Sequence, residues 1–551
     1  MVKLGINIPA IIKNKGRRMT IRSSIVIGLL FFSICIYAQD IQKTVVPVLG
    51  EISFPTSANQ AAQPYFKRGV LLLHSFEYEP ARTAFQQAEK VDPNFALAYW
   101  GEAMTYNQPI WNDQDFDAAK KVLNKLSQTD SQRIEKAKTT KEKGFIEAIN
   151  LLYGKGTKPE RDAAYAESMQ SLYRQYPDDD EIGAFYALAL LGKTGGVRDF
   201  QTYMEAAGIV EEIIQHNPKH PGALHYAIHS YDEPVHAPLG LRAARSYAKI
   251  APGASHALHM PSHIYLALGM WNDVIDSNRA AWAAGVKNNL TGNPKDYTIH
   301  DFHALEWLSY GYQQNQQYQE AYQLVKMMEK IAEESKTTMA KFHYAAMRAS
   351  YVIDSGNLSA DLKSLDMLEM EPASHASDIY INALIALKNK HNNAEIIEDM
   401  TELDKLGKTI PNSTATQGCH TDHFTSITPT GVLIAKITAL ELHAQIKLQQ
   451  GKIKDAINIL KNATQLEDQM RVGYGPPFPI KPAHELLADI LLLDKQYELA
   501  YEAYVSELKR DQNRTLSVQG LKMSMEKIKE LGLPVPKEPS NYFNKLMLKN
   551  N

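Results

Sequence analysis

The chain has 551 residues, 44% of them apolar and 22% charged, and a net charge of −3. That length exceeds the ~250–300 residues at which one hydrophobic core stops growing, so several domains or a repeat array are required. The first 38 residues hold six Lys/Arg and no Asp or Glu, leaving −9 on the remainder; this balance argues against nucleic acid as a partner, because phosphate binding needs a basic face.

Residues 1–38 read as a secretory signal peptide. Lys13, Lys15, Arg17, Arg18 and Arg22 precede an apolar run from Ile25 to Ile36, and Ala38 offers a small residue for cleavage. The run is about a dozen residues, short of the ~20 that span a bilayer, and no later stretch is long and apolar enough to form a transmembrane segment. The expected location is the periplasm or cell envelope, with Met1 or Met19 as the start. Cys35 lies in the leader, so the mature chain keeps only Cys419 and no intramolecular disulfide. Residues 39–60 read as a linker.

From residue 61 the sequence predicts helical hairpins. Counting Pro93 as position 32 of a 34-residue unit puts Gly69 at 8, Ala81 at 20, Phe85 at 24 and Ala88 at 27. Small residues let two helices approach closely, Phe85 fills the gap between them, and Pro93 ends the second helix. This pattern resembles the tetratricopeptide (TPR) repeat. Ala206, Val210 and Pro218 mark a looser unit; Tyr318/Ala321, Gly451/Ile453/Ala456 and Tyr497/Ala500 mark others. The expectation is an all-α, TPR-like α-solenoid of eight to ten hairpins over 61–540, with a tail at 541–551. Longer connections are expected near 124–140, 286–298, 406–430 and 470–482.

The histidines are concentrated. Ten of the 18 lie between His216 and His303, and two pairs have helical i,i+4 spacing: His225/His229 and His259/His263. Each member of the second pair follows its counterpart by 34 residues, one repeat period, so both pairs occupy positions 5 and 9 of a first helix. In tetratricopeptide proteins those positions line the concave groove, and the resemblance places these imidazoles there. The same frame adds His303, Glu306 and Tyr310, then His484, Glu485 and Asp489, and in the first units His74 and Trp100. Packed helices lie roughly 8–10 Å apart, so two such pairs on neighbouring helices can converge on one ion. Imidazole donors suit Zn, Cu or Fe. The plainer reading is a polar groove in which the imidazoles hydrogen-bond one another. Pro261, between His259 and His263, is expected to kink the helix and disturb the second pair. Asp232 and His236 can join from the following loop. The Pro-rich segment Tyr474–Pro482 either folds over the groove or serves as a rigid connector, and Cys419–His423 reads as a solvent-facing loop.

Larger motifs resemble a group of bacterial exported TPR-repeat proteins. They are Leu72–Tyr78 with Ala98–Met104, Leu224–His229, His259–Tyr265 and Tyr474–Pro479 with Lys481–Leu486. The resemblance implies the solenoid and a functional groove but names no reaction. Its association is with envelope accessories of nutrient acquisition, including polysaccharide breakdown. Three readings follow: a scaffold holding a peptide, protein or small-molecule ligand in the concave groove; a metal-binding protein or metal-dependent enzyme; and a glycan-uptake accessory in which Trp100, Trp111 and Trp307 stack on sugars, the plainer role of these Trp residues being packing within the hairpins.

Overall fold

The computed structural model describes residues 48–289, 291–358, 361–389, 393–411 and 424–534. The readings made for 1–38, for Cys419–His423 and for 541–551 lie outside them. The first helices are α1 (Gln63–His74), α2 (Tyr78–Val91), α3 (Ala96–Met104), α4 (Phe116–Leu126), α5 (Asp130–Lys136), α6 (Thr140–Leu152), α7 (Lys158–Gln175) and α8 (Asp180–Lys193). The middle holds α9 (Phe200–His216), α10 (Pro221–Tyr231), α11 (Ala237–Ile250), α12 (Ser255–His259), α13 (Pro261–Ala267), α14 (Trp271–Asn288), α15 (Ile299–Gln314) and α16 (Tyr318–Ser335). Then come α17 (Thr338–Ser355), α18 (Pro372–Lys388), α19 (Asn393–Leu406), α20 (Pro429–Gln449), α21 (Ile453–Glu467), α22 (Ala483–Leu493), α23 (Tyr497–Arg510) and α24 (Thr515–Glu530). Each helix packs chiefly on its chain neighbours, which is the contact pattern of a solenoid. The fold is an all-α, TPR-like solenoid of successive hairpins. Its only strands among the described residues are the two-residue pair Asn107–Gln108 and Asp113–Gln114. No described helix is long and apolar enough to cross a membrane.

The small residues of the repeat frame sit where helices touch. A Cβ on Gly69 would lie 2.7 Å, and one on Gly101 2.3 Å, from Phe85 Cε1. Phe85 is therefore clamped between α1 and α3, as the frame anticipates. Of the expected breaks, 124–140 instead contains α5, and 286–298 holds the end of α14 and a 3-10 turn at Pro294–Asp296. Several ends are fixed by local chemistry: Thr139 with Glu142 and Thr298 with Asp301 form capping boxes at the starts of α6 and α15.

Long-range contacts close the solenoid. At the N-terminal side Leu49, Ile52 and Phe54 are buried, and Glu51 N–H donates to the Lys219 carbonyl at 3.0 Å. At the other end the turn between α23 and α24 reaches back to the middle: Gln512 Nε2 donates to Pro234 O (2.8 Å) and Asn513 Nδ2 to Leu268 O (3.0 Å). A buried charge network anchors this turn. Arg514 Nε donates to Glu485 Oε2 (2.8 Å), its Nη2 to Asp354 Oδ1 (2.6 Å) and its Nη1 to Tyr310 Oη (3.2 Å). Lys481 Nζ bridges Glu485 and Asp489 at 2.8 and 2.6 Å. Tyr310, Glu485 and Asp489, expected in the groove, are thus bound into this network, while His484 pairs with Asp468 at 2.9 Å.

Burial alone would raise the Glu485 carboxyl; Arg514 and then Lys481 overcome that and hold it at about 2 instead of 4.5. A depressed folded value stabilises fully above the unfolded value, so this contribution should disappear as pH falls from about 4.5 towards 2. Arg514→Met leaves the buried Asp354 carboxylate without its ion-pair partner and Glu485 with Lys481 alone, and is expected to cost ~3–5 kcal/mol, read as a lower urea midpoint at pH 7.

Candidate metal centre

The histidine pairs lie in a closed interior, in place of the open concave groove expected. His225 and His229 project from α10. Gly222 lets that helix approach α1, since a Cβ there would sit 2.3 Å from His74 Nδ1. His259 ends α12 and His263 lies in α13. The kink expected at Pro261 is confined to the hydrogen-bond ladder: Met260 keeps helical dihedrals (φ −52°, ψ −36°), and Pro261 becomes the first residue of α13, where its missing N–H costs little. The phase survives, and the Nε2–Nε2 separation is 3.1 Å in both pairs.

The protons can be placed from the partners. His225 Nδ1 faces the His74 carbonyl (2.7 Å) and His263 Nδ1 faces Asp232 Oδ2 (2.6 Å); both partners only accept, so both Nδ1 atoms carry hydrogen. His259 Nδ1 faces Asn278 Oδ1 at 2.6 Å, with the Asn278 amide oriented by its own donation to Val274 O at 2.8 Å. His259 and His263 therefore turn their Nε2 atoms towards each other at 3.1 Å. Burial holds His229, His256 and His259 well below the usual imidazole range and His225 at about 3, so these rings are neutral at pH 7. Facing lone pairs at 3.1 Å repel unless a cation or a shared proton lies between them. Two imidazole nitrogens on one tetrahedral ion stand about 3.3 Å apart, given metal–nitrogen bonds of ~2.0–2.1 Å.

Two triads result. His259, His263 and His303 form one and His225, His229 and His256 the other; within each, the converging atoms lie within 4.8 Å of one another. The triads adjoin, with ring centroids 6.1 Å apart for His229/His263 and 6.2 Å for His256/His259. In the second triad His229 Nδ1 and both ring nitrogens of His256 are buried without hydrogen-bond partners. A third group, His74 with Glu181 and His220, is tied together by its own polar contacts, although Glu181 Oε1 and His220 Nε2 make no hydrogen bond. His74 bonds Tyr226 Oη and Glu181 at 2.9 Å each, and His220 Nδ1 accepts from Ala223 N–H, which turns its Nε2–H towards Glu181 at 3.3 Å.

Sequence spacing identified both pairs, His303 and Asp232. It missed His256, although that residue stands three positions before His259. It also missed Asn278 and His343, whose Nδ1 lies 2.5 Å from the Glu306 carboxylate; these come from other helices and carry no local signal. Trp100 is core: Phe54, Phe145 and Phe185 enclose it at 6.2, 5.1 and 5.0 Å. His236 pairs with Glu233.

The Pro-rich segment covers this interior. Tyr474 Oη meets Tyr203 Oη at 3.1 Å, Arg471 Nη1 donates to Arg198 O at 2.7 Å, and Gly475 (φ +84°) lies where a Cβ would be 2.5 Å from Trp307 Cζ2. Beneath it is a cavity of about 400 Å³, within the range of small-molecule sites, reached by His303, Glu306, Trp307 and Arg198.

No protein-family model matches the chain, and no curated protein matches it. Solved helical-repeat structures are similar. The Cut9–Hcn1 hetero-tetramer of the APC/C shares 12% identity over 91% of this chain and 82% of that one, at a TM-score of 0.31. A tetratricopeptide repeat protein from Parabacteroides merdae shares 12% over 70% and 98%, at 0.28. Yeast Tom70 shares 11% over 86% and 97%, at 0.31. At such identities and scores these likenesses carry no inference about function.

Gly475→Ala forces a Cβ into Trp307 and strains a positive φ by ~1–2 kcal/mol. It should raise hydrogen exchange across residues 472–478 while leaving α1–α8 unchanged.

Proposed function

We propose that the solenoid is a metal-binding protein whose interior holds transition-metal ions on the triads His259/His263/His303 and His225/His229/His256. The observation that carries this reading is the pair of Nε2 atoms facing each other at 3.1 Å, with each Nδ1 proton committed elsewhere. Metal-ligating histidines characteristically donate the other ring N–H to a carboxylate, amide or carbonyl oxygen. Asp232, Asn278 and the His74 carbonyl supply those acceptors. An all-imidazole donor set suits Zn, Cu or Fe and does not match the oxygen preference of Ca or Mg. Three protein ligands leave a position open, and His303 borders the cavity, so a bound ion would supply Lewis-acid chemistry there. The chain's own part is to orient the rings and exclude water with the segment 470–482.

A scaffold that binds a peptide or protein is the second reading, which the helical-repeat architecture favours. Glycan stacking loses Trp100 to the core and keeps only Trp307 at the cavity wall. Export belongs to the proposal through residues 1–38; N-terminal sequencing of mature protein beginning near Gln39 would support it, and unprocessed protein in the cytoplasm would end it.

Untagged protein is expected to contain Zn, Cu or Fe in stoichiometric amounts by elemental analysis. His259→Ala and His225→Ala should each lower the content, and Asp232→Asn should weaken affinity ~10–100-fold. Metal-free protein whose melting temperature ignores all three added ions would refute the reading.

A further inference from the structure

The cavity beside the histidines also holds a buried cation whose hydrogen-bond donors are unused. Arg198 is 8% exposed, yet none of its three guanidinium nitrogens has a hydrogen-bond acceptor. Its neighbours do not supply one. The Tyr474 ring lies face-on 4.0 Å from the guanidinium carbon, with its hydroxyl turned to Tyr203. Asp232 is 3.8 Å away and is already engaged by His263 at 2.6 Å. A buried guanidinium presents a planar fork of donors, and leaving such donors unmade is costly.

We propose that this cavity binds a small organic oxyanion, a carboxylate or phosphate monoester on an apolar body, with the anionic head held by Arg198. The fork matches two oxygens of one head group. The walls suit the rest of the molecule: Trp307, Phe342, Leu433, Pro476 and Phe478 are apolar or aromatic. Arg471 and Arg510 also line the space, as do Glu306, Glu467 and Asp511. The first two of these carboxylates are already engaged. Glu306 takes His343 Nδ1, and Glu467 caps α22 through the N–H groups of Ala483 and His484 at 2.9 and 3.0 Å. Burial raises both Glu467 and Asp511 from the usual carboxylate range. The inference deepens the metal reading by naming the ligand class of the adjoining cavity, but anion capture by Arg198 requires no metal.

The test uses chelator-treated full-length protein and three probes of similar shape: benzoate, phenylphosphate and the uncharged benzamide. Calorimetry should show binding of benzoate or phenylphosphate and none of benzamide, and the tighter of the two names the head group. Arg198→Gln should weaken binding roughly 10-fold or more, with Arg198→Lys intermediate because it keeps charge without the fork. If Arg198→Gln fails to fold, hydrogen exchange on the wild type decides: phenylphosphate or benzoate should protect residues 196–203 and 471–478. Wild-type protein that binds neither anion, an Arg198→Gln variant that folds and binds like wild type, protection elsewhere, or binding that appears only after zinc is added would each overturn the assignment. Absence of metal from the purified protein would leave these outcomes unchanged, so the two readings fail separately.

Discussion

The interior of this solenoid is governed by where three protons are held. The Nδ1 hydrogens of His225, His259 and His263 are bound by a backbone carbonyl, an amide oxygen and a carboxylate, all buried. Each commitment fixes a ring orientation and aims the opposite nitrogen inward. The surrounding shell serves that arrangement. Gly222 brings α10 against α1 so that the His74 carbonyl is within reach. Asn278 on α14 and Asp232 after α10 reach the second pair from different hairpins. Without that burial, the same histidines would be ordinary solvated side chains.

Closure of the superhelix supplies the burial. A regular helical-repeat array leaves its concave face open to water. Here the turn after α23, pinned by Arg514 to Glu485, Asp354 and Tyr310, draws the C-terminal hairpins back onto the middle of the chain. The segment between α21 and α22 then lies over Trp307 and Tyr203. The charge network is therefore remote from the histidines in chemistry but upstream of them in construction. It explains why Glu485 and Asp489, at groove-facing positions by repeat count, hold the structure shut.

Much of this was legible in the sequence. Phe85 with Gly69 gave the helix–helix contact, and the 34-residue offset between His225/His229 and His259/His263 gave the equivalence of the two pairs. Those signals are local or strictly periodic. Contacts that depend on closure were not legible. Arg514 meets Asp354 across 160 positions and Tyr203 meets Tyr474 across 271, with no spacing rule to announce either. Asn278 and Arg198 look like surface residues of a helix and a turn until the neighbouring elements are placed. Periodicity also overreached: it carried Trp100 into the groove, whereas the first hairpins use it to fill the core against Phe145 and Phe185.

The central claim is that the facing Nε2 atoms are ligands. Anomalous X-ray diffraction from crystals soaked in zinc tests it directly. The account predicts a peak between His259 and His263, ~2.0–2.1 Å from both Nε2 atoms, with His303 completing the set, and a second peak in the His225/His229/His256 triad. Anomalous peaks confined to surface carboxylates and exposed histidines, with the His259–His263 pair unchanged and empty, would contradict it.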